Sequence, residues 1–289
     1  MEKIIAFFGL GAMGGPMAEN LLKAGYPVHT AIHRTSAEAE RLAKAYGLKV
    51  FGSPAEAARN ADIIITILPA DSEVKFFLIN DELADAMKGD AVIIDMSSCT
   101  SHAICQVEEY YAPRGIPVID APVSGGVSGA ASGTLTIFAS GKGDAQKAVR
   151  PVLDVMGTKV YDLGACGTGK AFKNMNNLLS MYNVMGIAEA YRIADKNGMD
   201  KELLFQVISD SSGASSSLSS RWGRMVKGDF AGGFQLGLAR KDVANAIALG
   251  KGLPLPMSHL LHELMQACAP LDALDASAMC KLFSSDNMV

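Results

Sequence analysis

Short, mostly apolar runs punctuate the first half of the chain, at 3–9, 28–33, 63–68, 91–96 and 117–121. Most lack a polar face, the pattern of parallel strands covered on both sides. Between them apolar residues recur at helical spacing, as in 16–24 and 37–46, so strand and helix alternate and an α/β architecture with a parallel sheet is predicted. Runs at 135–140 and 159–162 predict two edge strands around a helix near 145–156. After Gly169 the strand signals stop. Residues 171–197 hold apolar positions at helical spacing for about seven turns, long enough to link two domains. Further helices are predicted at 201–209, 237–249 and 257–267. The expected organisation is a doubly wound sheet over 1–164 followed by an all-α domain over 165–289. Residues 209–220, of which eight in twelve are serine, are read as a polar loop or a helix start within the second half.

Composition narrows the partners. The chain has 289 residues, more than one hydrophobic core usually serves. A net charge of −4 and a pI near 5.8 give no broad basic field for nucleic acid. No apolar run reaches the roughly twenty residues needed to span a bilayer. The N-terminal apolar run has strand length rather than that of a signal-peptide core, so the cytoplasm is the expected location. Cys99, Cys105, Cys166, Cys268 and Cys280 are scattered, without paired spacing, and are read as free thiols. His259 and His262 lie three apart but have no companion ligand, so no metal is expected.

The first apolar run leads directly into Gly9-Leu10-Gly11-Ala12-Met13-Gly14 and then a helical stretch. This is the GxGxxG pattern in the strand–turn–helix setting of a Rossmann-type dinucleotide site. Gly9 permits the tight turn, Gly11 lets a pyrophosphate approach the backbone, and Gly14 lets helix and strand pack closely. The second strand should end at the residue that reads the ribose 2′ position. There the chain carries His33-Arg34-Thr35 and no acid. Arg34 and Thr35 suit a phosphate, which favours NADP over NAD, although an arginine there also serves to cover the adenine face. Leu68-Pro69 and the segment holding Ser98 leave two later strands at the edge where ligands bind in such sheets. Ser98 is assigned to the nicotinamide end, with a turn or cap as its alternative role.

Two groups address a substrate. Ser124-Gly125-Gly126 sets a hydroxyl beside backbone N–H groups, a nest suited to a carboxylate. Lys173 and Asn177 lie four apart on the long helix and so share a face, aiming a cation and an amide at one point. Such a pair suits a polarised carbonyl or hydroxyl.

Together the stretches 9–14, 120–126, Gly167-Thr168-Gly169 with Lys173 and Asn176-Asn177, and Lys241-Asp242 resemble the β-hydroxyacid dehydrogenase family over essentially the whole chain. That family includes 3-hydroxyisobutyrate dehydrogenase, tartronate semialdehyde reductase and the glyoxylate/succinic semialdehyde reductases. The resemblance implies reversible hydride transfer between NADP or NAD and a small 3-hydroxy acid or its semialdehyde, in a homodimer or homotetramer. It makes Lys173 the catalytic acid/base, has Asn177 orient the substrate, gives the carboxylate to Ser124, Gly125 and Gly126, and places Lys241 near cofactor and substrate. Two alternatives stand beside it: an imine reductase-like enzyme, and a cofactor-binding scaffold without chemistry. Both usually lack the lysine. Oxidative decarboxylation of 6-phosphogluconate would need a much longer helical half.

Overall fold

The computed structural model describes residues 3–32 and 37–283, which fall into two compact units, Met1–Lys173 and Asn174–Val289. In the first, nine strands form one sheet: β1 (Ile5–Phe8), β2 (Val28–Ala31), β3 (Lys49–Phe51), β4 (Ile63–Thr66), β5 (Val92–Asp95), β6 (Val118–Asp120), β7 (Val123–Ser124), β8 (Leu135–Gly141) and β9 (Gly157–Asp162). Strands run in the order β3-β2-β1-β4-β5-β6, all parallel, the doubly wound arrangement. β8 then joins β6 antiparallel and also pairs with β7 and β9. Of the two strands expected at an edge, 159–162 lies in β9, which pairs with β8 alone. β8 is internal, because the two-residue β7 and the tail of β6 both use it.

The helices of this unit are α1 (Gly14–Lys23), α2 (Ala37–Tyr46), α3 (Pro54–Ala58), α4 (Asp71–Leu78), α5 (Asp81–Ala86), α6 (Ser101–Tyr111), α7 (Gly126–Ser132), α8 (Gly143–Met156) and the start of α9 (Thr168–Lys196). Successive strand residues point to opposite faces. Ile5, Phe7, Ile63, Ile65 and Ile94 therefore pack with Met17 and Leu21 of α1, Leu42 of α2 and Val149 of α8. Ala6, Phe8, Ile64 and Ile93 pack on the other face with Val74 of α4 and Ile104 of α6. Covering both faces explains why β1, β4 and β5 are buried at every position and why their sequences show no polar alternation.

The second unit is helical: the rest of α9, then α10 (Lys201–Ser209), α11 (Ser216–Lys227), α12 (Leu236–Leu249) and α13 (Pro256–Ala267), with 3₁₀ turns at Ala269–Leu271 and Ala276–Phe283. Met181, Val184 and Ala188 of α9 pack with Trp222, Val243, Leu261 and Met265. The serine-rich segment resolves into a turn and then α11. Ser215 accepts from the N–H of Leu218 at 3.0 Å and caps that helix. No described helix is long and apolar enough to cross a membrane.

Candidate functional site

The three glycines of the first turn differ in what surrounds them. Gly9 has φ of +103°, and a side chain there would place Cβ 2.2 Å from the Ile67 carbonyl. At Gly14 a Cβ would lie 1.9 Å from the Gly9 carbonyl, so strand and helix approach too closely for any other residue. Gly11 is exposed, and nothing lies within 4 Å of where its Cβ would be. The open glycine thus stands between the two sterically required ones. Leu10, Ala12 and Met13 complete the turn, and no side chain caps the N-terminus of α1. An open glycine and an uncapped helix N-terminus fit a pyrophosphate. Arg34 and Thr35, which would read the ribose, lie outside the described residues.

The next two strand ends are tied together. The Ser97 hydroxyl donates to Asp95 Oδ1 at 2.6 Å and accepts from the N–H of Leu68 at 2.8 Å, and Thr66 Oγ1 donates to the same Asp95 oxygen at 2.7 Å. Asp95 is wholly buried. These bonds hold the loop of Leu68 and Pro69 against the loop of Ser97 and Ser98, leaving Pro69 exposed and Ser98 half-buried.

A third element is fixed to the same edge. Asp120, at the end of β6, accepts through Oδ2 from the N–H groups of Gly167 and Lys170 at 3.1 and 3.0 Å and from Ser140 Oγ at 2.9 Å. Ser140 Oγ in turn accepts from the N–H of Gly169 at 3.0 Å. Orphan donors at the start of α9 are thereby satisfied by residues of β6 and β8, with a carboxylate at the positive end of the helix dipole. Gly169 is required here, since its Cβ would meet the Phe138 carbonyl at 2.2 Å.

Lys170 closes the arrangement. Its side chain is wholly buried, and Nζ donates to the carbonyls of Asp95 and Ser97, both at 2.9 Å. The same Nζ lies 2.8 Å from Asp95 Oδ2 and 3.0 Å from Asp120 Oδ1. Four oxygens thus surround a cation with three protons, so Asp120 Oδ1 is held by charge rather than by a well-directed hydrogen bond. Burial by itself would push the ammonium toward neutrality, but Asp120 and Asp95 outweigh it and hold the lysine protonated well above its ordinary range.

One turn further along α9 stands Lys173, only 8% exposed. Lys170, Lys173, Asn174 and Asn177 form the first part of a buried stripe that continues as Met181, Val184 and Ala188. One helix face is therefore polar near the sheet edge and apolar beyond it. In the second unit Asn177 Nδ2 donates to Asp242 Oδ2 at 2.6 Å, and Lys241 Nζ lies 3.3 Å from Asp242 Oδ1. Asp242 is buried and Lys241 partly exposed.

Ser124 ends β7, and Gly125 and Gly126 follow with φ of +134° and +63°. Both glycines are exposed, and a Cβ at Gly126 would meet nothing within 4 Å. Positive φ at successive glycines is a backbone setting in which anion nests form.

Sequence reasoning overlooked Asp95, Asp120, Lys170 and Asp242. Asp120 and Asp242 lay inside quoted motifs, and Lys170 lay between two quoted residues. A buried charge is recognisable only when its partner is known, and Lys170 reaches carbonyls 73 and 75 residues away. Among the described residues no group of three His, Cys, Asp or Glu side chains is placed to hold a metal.

Residues 4–164 match the family model of the NAD binding domain of 6-phosphogluconate dehydrogenase, and residues 167–283 match that of NADP-dependent 3-hydroxyisobutyrate dehydrogenase, described as NAD-binding. The chain is 36% identical to 2-(hydroxymethyl)glutarate dehydrogenase of Eubacterium barkeri, over 98% of this chain and 96% of that protein. It is 35% identical to 3-hydroxyisobutyrate dehydrogenase of Pseudomonas aeruginosa, over 96% and 98%. A solved structure of Mycobacterium tuberculosis 3-hydroxyisobutyrate dehydrogenase with L-serine superposes with a TM-score of 0.87 at 32% identity, covering 98% of this chain and all of that one.

The buried cluster generates a stability prediction. Lys170→Met leaves two carboxylates and two carbonyls without their cation, so the urea unfolding midpoint should fall by an amount equivalent to about 3–5 kcal/mol. Since the folded chain holds this proton more tightly than the unfolded chain, the contribution is complete below the ordinary lysine value of 10.5. It is lost progressively as pH rises beyond that value. The difference between wild type and Lys170→Met should therefore shrink in strongly alkaline titrations, and a constant gap would contradict the assignment.

Proposed function

Because the chain belongs to the β-hydroxyacid dehydrogenase family, we propose that Lys173 is the acid/base of an NAD(P)-dependent oxidoreductase acting on small 3-hydroxy acids and their semialdehydes. That the protein is an NAD(P)-dependent dehydrogenase of small hydroxy acids follows from its relatives. The residue roles are our reading. The observation that carries it is Lys173 itself, a buried lysine one turn beyond a helix start that is anchored to the ligand-binding edge of the sheet.

A bound nicotinamide would supply hydride chemistry at the carbon that bears the reacting oxygen. In the oxidation direction the neutral Lys173 amine accepts the hydroxyl proton. In reduction its ammonium stabilises the charge gathering on the carbonyl oxygen and returns the proton there. Ser124 and the amides of Gly125 and Gly126 hold the substrate carboxylate, which fixes the distance from carboxylate to reacting carbon. Asn177, itself oriented by Asp242, steers the hydroxyl, and Lys241 supplies a second cation near cofactor and substrate. Gly9, Leu10, Gly11, Ala12, Met13 and Gly14 cradle the pyrophosphate, while Leu68, Pro69 and Ser98 flank the nicotinamide end.

NADP is the preferred cofactor in this reading, supported by Arg34 and Thr35 and by the lack of an acid beside them in the sequence. A homodimer or homotetramer is part of the same reading. Phe172, Met175, Leu179 and Ile193 leave apolar side chains exposed along the face of α9 opposite its buried stripe. The cytoplasm remains the proposed location, in keeping with five cysteines that form no disulfide.

Two measurements test these roles. Lys173→Ala should lower kcat by roughly 10²–10⁴-fold while calorimetry shows cofactor affinity unchanged, and near-normal turnover would sink the acid/base role. Specificity constants should favour NADPH over NADH, and Arg34→Ala should cost about tenfold or more with NADPH alone. A wild-type preference for NADH would refute the role given to Arg34.

A further inference from the structure

We propose that Lys170 is a positioning residue for proton transfer, one ammonium that locks the loop carrying Ser98 to the helix carrying Lys173. The inference rests on the acid/base reading of Lys173 and adds a residue that touches neither substrate nor cofactor, because its side chain is wholly enclosed.

Three observations carry it. First, Nζ grips the backbone of the β5 loop at two points, the carbonyls of Asp95 and Ser97, both at 2.9 Å. Carbonyl contacts fix a loop's path, and these two bracket the turn into Ser98. Second, the same residue grips β6 through its main chain, with its N–H on Asp120 Oδ2 at 3.0 Å while Nζ stands 3.0 Å from Asp120 Oδ1. Rotation or sliding of the first turn of α9 would break both sets together, and Lys173 lies one turn on from that anchor. Third, charge is a costly way to secure packing alone. Replacing a complete buried ion cluster by apolar groups of similar volume is often neutral or stabilising, whereas no apolar side chain can hold two carbonyls and two carboxylates in a fixed relation. A cluster of Asp95, Lys170 and Asp120 with hydroxyls from Thr66, Ser97 and Ser140 on its carboxylates favours one geometry over its neighbours. Proton and hydride transfer need that geometry, since a displacement of about 1 Å can cost on the order of 100-fold in rate.

The test uses the full chain with NADP⁺ and 3-hydroxyisobutyrate or, where turnover is faster, L-serine. Lys170→Gln keeps a donor for the carbonyls but removes the charge. The double variant Lys170→Gln/Asp120→Asn removes one positive and one negative charge, so the cluster keeps its net charge and its shape, in case the single variant fails to fold. Both are assayed at a temperature where circular dichroism shows the native spectrum. We expect kcat at saturating cofactor to fall about 10- to 100-fold. The solvent deuterium isotope effect on kcat should rise, because proton transfer at a displaced Lys173 becomes slower relative to other steps. Wild-type kcat and isotope effect in either folded variant would overturn the proposal. Loss of folded protein in both would overturn it too, since the cluster would then serve the fold alone. Normal turnover in Lys173→Ala would remove the acid/base reading, while normal turnover in Lys170→Gln alone would remove only this one.

Discussion

The Asp95–Lys170–Asp120 cluster is the constraint on which the first unit's ligand edge depends. Three formal charges lie out of contact with water, and isolated burial of any one would be prohibitive. They are tolerated because each carboxylate also accepts from hydroxyl or amide donors, so that nearly every lone pair facing the interior has a partner. The consequence is geometric. The ends of β5 and β6, the loops that carry Leu68 and Ser97, and the N-terminus of α9 become one polar knot at the sheet edge.

The groups proposed for binding and catalysis come from elements that are each locally constrained. The turn after β1 is shaped by Gly9 and Gly14, where any Cβ would collide with backbone, and leaves Gly11 open. The turn after β7 has positive φ at Gly125 and Gly126. The long helix presents one continuous buried stripe whose polar part carries Lys173 and Asn177 and whose apolar part forms the core of the second unit with Trp222 and Val243. Rigid framework and reactive side chain are thus parts of the same elements, which is what a site needing fixed distances between hydride donor, proton carrier and carboxylate requires.

Much of this was legible from the chain alone where local chemistry decides. The α2 range 37–46 was predicted at both ends, and β1, β4, β5 and β6 were found within their apolar runs, because full burial on two faces writes a mostly apolar run without alternation. β3 escaped notice because it is three residues long and largely exposed, and β7 because it has only two. The serine-rich segment, read as a polar loop or a helix start, contains the start of α11, which depends on a cap from Ser215 rather than on apolar spacing. Lys173 and Asn177 were singled out by spacing and resemblance. Asp95, Lys170 and Asp120 were not, since a charged residue at a strand end reads as loop punctuation until the fold brings its opposite charge to it.

The central claim, a dehydrogenase of small 3-hydroxy acids with the carboxylate held at Ser124-Gly125-Gly126 and the hydroxyl at Lys173, is tested most directly by the initial rate of nicotinamide reduction across a matched set of alcohols. The set should contain 3-hydroxyisobutyrate, other small 3-hydroxy acids, their methyl esters, 2-hydroxy acids of the same size and simple alcohols. The account predicts turnover with 3-hydroxy acids, sharply reduced rates once the carboxylate is esterified, and none with simple alcohols. Equal rates with and without the carboxylate, or activity confined to imines in the reductive direction, would contradict it.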